Sequence, residues 1–245
     1  MRPGVPYRLA LALAAACLGG CAGGVADERL DVVLITLDTT RADHLGCYGH
    51  DGIETPYIDA LAASGTRYEN AFTPVPITLP AHTSIFTGTY PAFHGVRSNH
   101  GFYVPPSVDT LAEILRDQGY DTGAFVGAFP LDSQTGIDQG FAHYDDHYPS
   151  SLETGRHPRL RRFFDERPAA EVSRAALAWL GERLPRTDRP FFLWTHFFDP
   201  HQPLNPPSPY RERYAHSLYD GEIASVDEAV GQILGRLEAS GRIHA

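Results

Sequence analysis

Three short segments hold residue types that can ligate a metal, act as a nucleophile or carry a proton. Asp38-Thr39-Thr40-Arg41-Ala42-Asp43-His44 opens with a carboxylate. Thr78-Leu79-Pro80-Ala81-His82 offers a hydroxyl and, four residues on, an imidazole. His196 and Asp199-Pro200-His201 add two more imidazoles. A carboxylate oxygen is a hard ligand that suits divalent metals. A hydroxyl is a poor nucleophile at its own pKa, and metal coordination activates it. Taken singly, each residue has an ordinary structural use. Aspartate after a strand forms turns, threonine before a proline-led helix sits near the cap, and histidine in an Asp-Pro-His turn faces solvent. Their joint occurrence singles them out.

The elements that must position them are read from periodicity. Asp31 to Leu37 is a continuous apolar, β-branched run, a strand buried on both faces and so part of a parallel sheet. Asp38 stands at its carboxyl end, where ligands bind in open α/β sheets. Pro190 to Phe198 reads as a second buried strand and Tyr120 to Gly127 as a third. Pro56 to Gly65 reads as a helix with Ile58, Leu61 and Ala62 on one face, and Pro80 to Phe86 as another led by its proline. Ser107 to Gln118 reads as a helix capped by Ser107, striped by Val108, Leu111, Ile114 and Leu115, and stopped at Gly119. Ala169 to Arg183 and Leu218 to Ala239 carry clear apolar stripes. Strands alternate with helices, so the fold class is α/β, a mainly parallel sheet flanked by helices. Arg156 to Arg167 reads as a basic insert at the surface, a solvated loop or short helix.

Of 245 residues, 20 are basic and 30 acidic, a formal charge of −10. That balance argues against nucleic acid as a partner. Every basic residue is arginine, which excludes Schiff-base, P-loop-lysine and lysine-base mechanisms. Residues 1–20 read as a signal peptide, with an apolar core from Leu9 to Leu18 too short to span a bilayer. Leu18-Gly19-Gly20-Cys21 resembles a bacterial lipobox, so Cys21 is the expected lipidation site and residues 21–30 a tether. The expected location is the cell envelope, lipid-anchored on the periplasmic or outer face. Loss of Cys17 and acylation of Cys21 would leave only Cys47, so no intrachain disulfide is expected.

Residues 31–245 resemble the N-terminal part of a sulfatase catalytic domain, within the alkaline phosphatase superfamily. The resemblance rests on DVVLITLDTTRADHLGCYG, ETPYIDALAASGTRYENAFT, PITLPAHTSIFTGTYPAFHGVRSN, GYDTGAFVGAFPLDSQTGIDQGFAHYDD, FFLWTHFFDPHQP and YDGEIASVDEAVGQIL, in family order. Departures are as informative. Formylglycine sulfatases carry Cys or Ser-x-Pro-x-Arg, whereas this chain has Thr78-Leu79-Pro80-Ala81-His82. Threonine is no substrate for that oxidation, so no formylglycine is expected. Thr39 replaces the second sulfatase aspartate, and Gly127-Ala128-Phe129-Pro130 replaces the family's Gly-Lys-Trp-His. A threonine nucleophile does occur in related phosphodiesterases and phosphoethanolamine transferases.

The resemblance implies the roles. Asp38, Thr39 and Thr78 would hold a divalent metal, Ca²⁺ or Mg²⁺ if sulfatase-like and Zn²⁺ or Mn²⁺ if phosphodiesterase-like. Thr78, just ahead of a helix, would be the nucleophile. His201 would donate to a substrate oxygen or the leaving group. Asn99 would stabilise developing charge, with His82 facing the same pocket. His196 and Arg41 are substrate-binding candidates, though burial of the first and a surface ion pair of the second are equally open. The expected function is hydrolysis of sulfuric or phosphoric esters. The alternatives are a phosphodiesterase or phosphoethanolamine-type transferase, and an inactive remnant that binds anionic glycans. In the family, a strand and an Asp-His or Asp-Asn pair after the long helix complete the metal site. Here only Ser240 to Ala245 follows that helix, so the chain is expected to be a fragment of a longer enzyme.

Overall fold

Parallel pairing of apolar strands places every functional segment at one end of a sheet. A computed structural model describes residues 29–148, 167–186 and 188–242. The expected signal peptide, Cys21 and residues 156–166 of the basic insert lie outside the described residues. The strands are β1 (Val32–Leu37), β2 (Asp121–Val126), β3 (His143–Asp145) and β4 (Phe191–Phe197), in the order β1-β4-β2-β3 and all parallel. The main helices are α1 (Pro56–Ser64), α2 (Thr78–Thr87), α3 (Leu111–Asp117), α4 (Ala169–Arg183) and α5 (Leu218–Ala239).

Alternation along β4 divides the core. Phe191, Leu193 and Phe197 face α4 and α5, meeting Val172, Trp179, Leu180, Val226 and Ile233. Phe192 and Trp194 face the other way, toward Leu79 and Phe86 of α2. His196 continues that second row, so the period of two sends its ring to the α2 side. All seven β4 residues are buried, because β1 and β2 cover both edges and helices cover both faces. Each large apolar side chain so buried contributes roughly 2 kcal/mol. β1 departs from the expectation of full burial. Among the described residues it is an edge strand, and its side chains are half-buried.

Other boundaries also moved. α2 begins at Thr78, so Pro80 is its third residue rather than its first. The missing proline N–H costs nothing there either, since first-turn N–H groups have no partner within the helix. α3 begins at Leu111, not Ser107. Thr110 caps it through a reciprocal box with Glu113, which satisfies two first-turn donors at once. Arg167 is no surface residue. It is buried and paired with Asp145 at 3.0 Å, so the end of the basic insert is anchored on β3.

The cap of α1 comes from another helix. Thr55 makes no side-chain cap bond; instead buried Asp227 of α5 accepts from the N–H groups of Tyr57 at 3.2 Å and Ile58 at 2.8 Å. Gly231, one turn on, lets Tyr57 lie against α5, because a Cβ there would sit 2.4 Å from the Tyr57 ring. Burial, with lesser contributions from Asp59 and Glu228, lifts the Asp227 carboxyl to about 6. A carboxyl raised on folding binds more protons in the native than in the unfolded state between its two pKa values. Its stabilisation is therefore complete below about pH 4 and lost as pH rises through about 6. Asp227→Asn mimics the protonated form. Urea titrations at pH 4 and pH 7 are expected to show the variant gaining on the wild type by on the order of 2 kcal/mol across that window. A difference that stays constant with pH would refute this.

Candidate active site

Asp38 extends the ladder one residue beyond β1, its N–H donating to the Phe197 carbonyl at 2.9 Å. The chain then turns sharply. Thr39 has φ +49°, a left-handed conformation that costs a β-branched residue about 1–2 kcal/mol. Tyr219 offsets that cost. Its hydroxyl donates to the Thr39 carbonyl at 2.6 Å and accepts from the Arg41 N–H at 2.9 Å. The turn that aims Asp38 is thus held by the first turn of α5.

Thr78 is the first residue of α2, and its hydroxyl donates to Asp38 Oδ2 at 3.1 Å. Two segments 40 residues apart therefore meet through the two groups expected to do the chemistry. His82, one turn on, donates from Nδ1 to the Thr78 carbonyl at 2.8 Å. Since a carbonyl only accepts, neutral His82 carries its proton on Nδ1 and a lone pair on Nε2. Asn99 accepts from the Leu79 N–H at 2.8 Å. Its oxygen caps α2 beside the nucleophile, and only its amide nitrogen is left to face developing charge.

His196 lies beside Thr36, its register partner on β1. Thr36 Oγ1 is 2.9 Å from His196 Nδ1 and accepts from the Trp194 indole at 3.0 Å. That pair orients the ring so that Nε2 comes to 3.6 Å from Asp38 Oδ2. The His82 and His196 rings meet edge to face at 4.7 Å. Both Nε2 atoms are buried without a hydrogen-bond partner. Burial holds both rings below the ordinary imidazole range, and the neighbouring His82 pushes His196 further down. The Asp38 carboxylate, the Thr78 hydroxyl and the neutral His196 imidazole thus converge in a half-buried corner, with neutral His82 packed against His196. Orphaned buried nitrogens are costly unless something binds them. Asp38, Thr78 and His196 present ligand types that divalent cations take, with Thr78 Oγ1 and His196 Nε2 at 3.1 Å and 3.6 Å from Asp38 Oδ2.

The other expected residues have these described contacts. Thr39 is exposed, and among the described residues its hydroxyl makes no bond to Asp38 or Thr78. Its described role is the turn. Arg41 is engaged at the surface with Asp43 at 2.6 Å. His201 stacks on Phe198 at 4.2 Å and donates to the Gln202 carbonyl. It lines a cavity of about 470 Å³ with Asp199, Asn205 and Arg211. Burial raises the Asp199 carboxyl there to about 6. Sequence reading missed Thr36, Trp194 and Tyr219. The first two are visible only as alternate positions on adjacent strands, and Tyr219 carries no local signal.

The chain that carries this corner is similar to known proteins in sequence and in fold. The sulfatase family profile covers residues 31–243. The chain belongs to the sulfatase family. It is 30% identical over 229 residues to the uncharacterized sulfatase YidJ of Escherichia coli K12, covering 82% of this chain and 45% of that protein. Human arylsulfatase A is 29% identical over 272 residues, with 94% and 52% coverage. The solved phosphonate monoester hydrolase of Agrobacterium radiobacter superposes with a TM-score of 0.71 at 22% identity, with 87% and 60% coverage. That likeness shows a shared fold. This sulfatase-family chain spans about half the length of the curated relatives it matches.

Proposed function

We propose that this chain forms part of a metal-assisted hydrolase that cleaves sulfuric or phosphoric esters with Thr78 as nucleophile. The 3.1 Å hydrogen bond from Thr78 to Asp38, at the first residue of α2, carries the reading. Thr78 Oγ1 attacks sulfur or phosphorus, the ester oxygen leaves, and a threonyl ester remains for water to cleave. The hydroxyl proton already points at Asp38 Oδ2. The helix N-terminus favours the anionic group as it approaches. His201 is the proposed donor to the leaving oxygen, on the family resemblance; its Nδ1 already donates to the Gln202 carbonyl, so the donor is Nε2 of the protonated ring. Asp38, Thr78 and His196 would hold the cation. A divalent metal there would lower the hydroxyl pKa and neutralise ester charge.

Sulfate and phosphate are both consistent with the site. Family membership favours a sulfate ester, and a threonine nucleophile favours a phosphate or phosphonate ester. The likeness to a phosphonate monoester hydrolase supports keeping the second reading. The test is a tryptic digest after brief incubation with p-nitrophenyl sulfate or bis-p-nitrophenyl phosphate. Cleavage at Arg67 and Arg97 releases one peptide containing Thr78. That peptide is expected to carry a sulfuryl or phosphoryl group on Thr78, and the substrate that labels it identifies the ester class. Turnover with the label absent from Thr78 after rapid quenching would reject the assignment. The same digest reads the expected acylation of Cys21, on which the proposed envelope location rests.

A further inference from the structure

A second group of ligand-type side chains lies outside the Asp38–Thr78 corner. His44, in a single turn after the Asp38 loop, places Nδ1 2.6 Å from Asp220 Oδ1 at the start of α5. His50 places Nε2 4.0 Å from the other carboxylate oxygen. One ligand atom from each residue lies within 4.8 Å of the others. Asp220 is buried, with 8% of its side chain exposed, while the imidazoles are about one-quarter exposed.

His50 Nε2 is the telling atom. It is buried and has no hydrogen-bond partner. At 4.0 Å the carboxylate oxygen is too far for a hydrogen bond. Ligand atoms around a tetrahedral Zn²⁺ lie about 3.3 Å apart, given bonds of about 2.0–2.1 Å. The 2.6 Å and 4.0 Å separations bracket that spacing, so small side-chain rotations would admit an ion. Glycine at 52 lets the ring lie close against the backbone, since a Cβ there would sit 3.0 Å from His50 Nε2. The His44 and His50 rings lie 4.9 Å apart and are tilted by 37°.

We infer that His44, His50 and Asp220 form a separate site for a transition-metal dication of the Zn²⁺ class. Two imidazoles and one carboxylate match that class better than Ca²⁺ or Mg²⁺, which prefer all-oxygen shells. Three protein ligands leave a fourth position for water. Bound metal would cross-link the loop after β1 to the first turn of α5. Tyr219, beside Asp220, already clamps Thr39 and Arg41 in that loop.

Co²⁺ is the probe, added to the metal-stripped, tag-free chain carrying Asp38→Asn, which disables the proposed catalytic site. About one equivalent is expected to bind, with the intense visible absorption of low-coordinate Co²⁺ and a rise of several degrees in melting temperature. Adding His50→Ala is expected to abolish both signals. Because His50 Nε2 makes no hydrogen bond, that change should leave the fold intact by circular dichroism. Asp220→Asn is the supporting variant. Absence of bound Co²⁺ in the Asp38→Asn protein would overturn the inference, as would binding that survives His50→Ala. Neither outcome bears on Thr78.

Discussion

A Thr78→Ala protein is expected to lose turnover of aryl sulfates and bis-aryl phosphates by on the order of 10⁴-fold or more while remaining folded. The size follows from the kind of group removed. Among the described residues no other hydroxyl donates to the Asp38 carboxylate, Thr40 bonding only its backbone carbonyl, so the variant has no substitute nucleophile at that position. Stability should change little. Thr78 is the first residue of α2, alanine has the higher helix propensity, and the cap from Asn99 goes to Leu79 rather than to Thr78. Thr78→Ser keeps the hydroxyl and is expected to retain a measurable fraction of the rate. Steady-state kinetics with matched circular dichroism checks both. Undiminished hydrolysis by Thr78→Ala would remove the nucleophile from the proposal.

Asp38→Asn should be nearly as damaging, by a different route. The amide is isosteric, and its oxygen can still accept from Thr78. The ladder bond from the Asp38 N–H to Phe197 is backbone and survives. What disappears is the negative charge beside His196 Nε2 and Thr78 Oγ1. A cation held by a hydroxyl and neutral imidazoles alone lacks charge neutralisation. Bound metal at this site and kcat/KM should therefore each fall at least about 10³-fold. The metal-free protein should be no less stable than wild type. The Asp38 carboxylate accepts from Thr78 but among the described residues has no charged partner beside the neutral His196, and asparagine keeps that acceptor while removing the charge. Metal analysis and melting curves with and without added cation separate these effects. Retained metal together with retained activity would show that Asp38 is not a ligand.

The sequence made the chemistry legible because one residue type per position was enough. Asp38 follows a β-branched run, and Thr78 and His82 are one helical turn apart; both facts are local. The opposite-face placement of His196 follows from a period of two. Starts of helices were less legible. Ser107 and Thr110 are both good caps, and only Thr110 has a Glu three residues on that closes the box. The proline-first rule misplaced α2, since a first-turn proline is tolerated at more than one position. β3 has three residues and no pattern of its own. Its place depends on pairing with β2.

By itself, the sequence determined the α/β class, the parallel sheet, the two long helices and the family blocks that mark Asp38, Thr78 and His201. These depend on steric preferences and periodicities that act within a few residues. Only the tertiary structure decided that Thr78 bonds Asp38, that Thr36 and Trp194 orient His196, that Asp227 caps α1, and that Asp220 joins His44 and His50. Each of these contacts closes a loop of 40 to 176 residues, except those that adjacent strand register supplies. No local preference encodes which distant groups meet. Sheet order and helix packing bring them together, and the cost of leaving buried polar groups unpaired selects the partners.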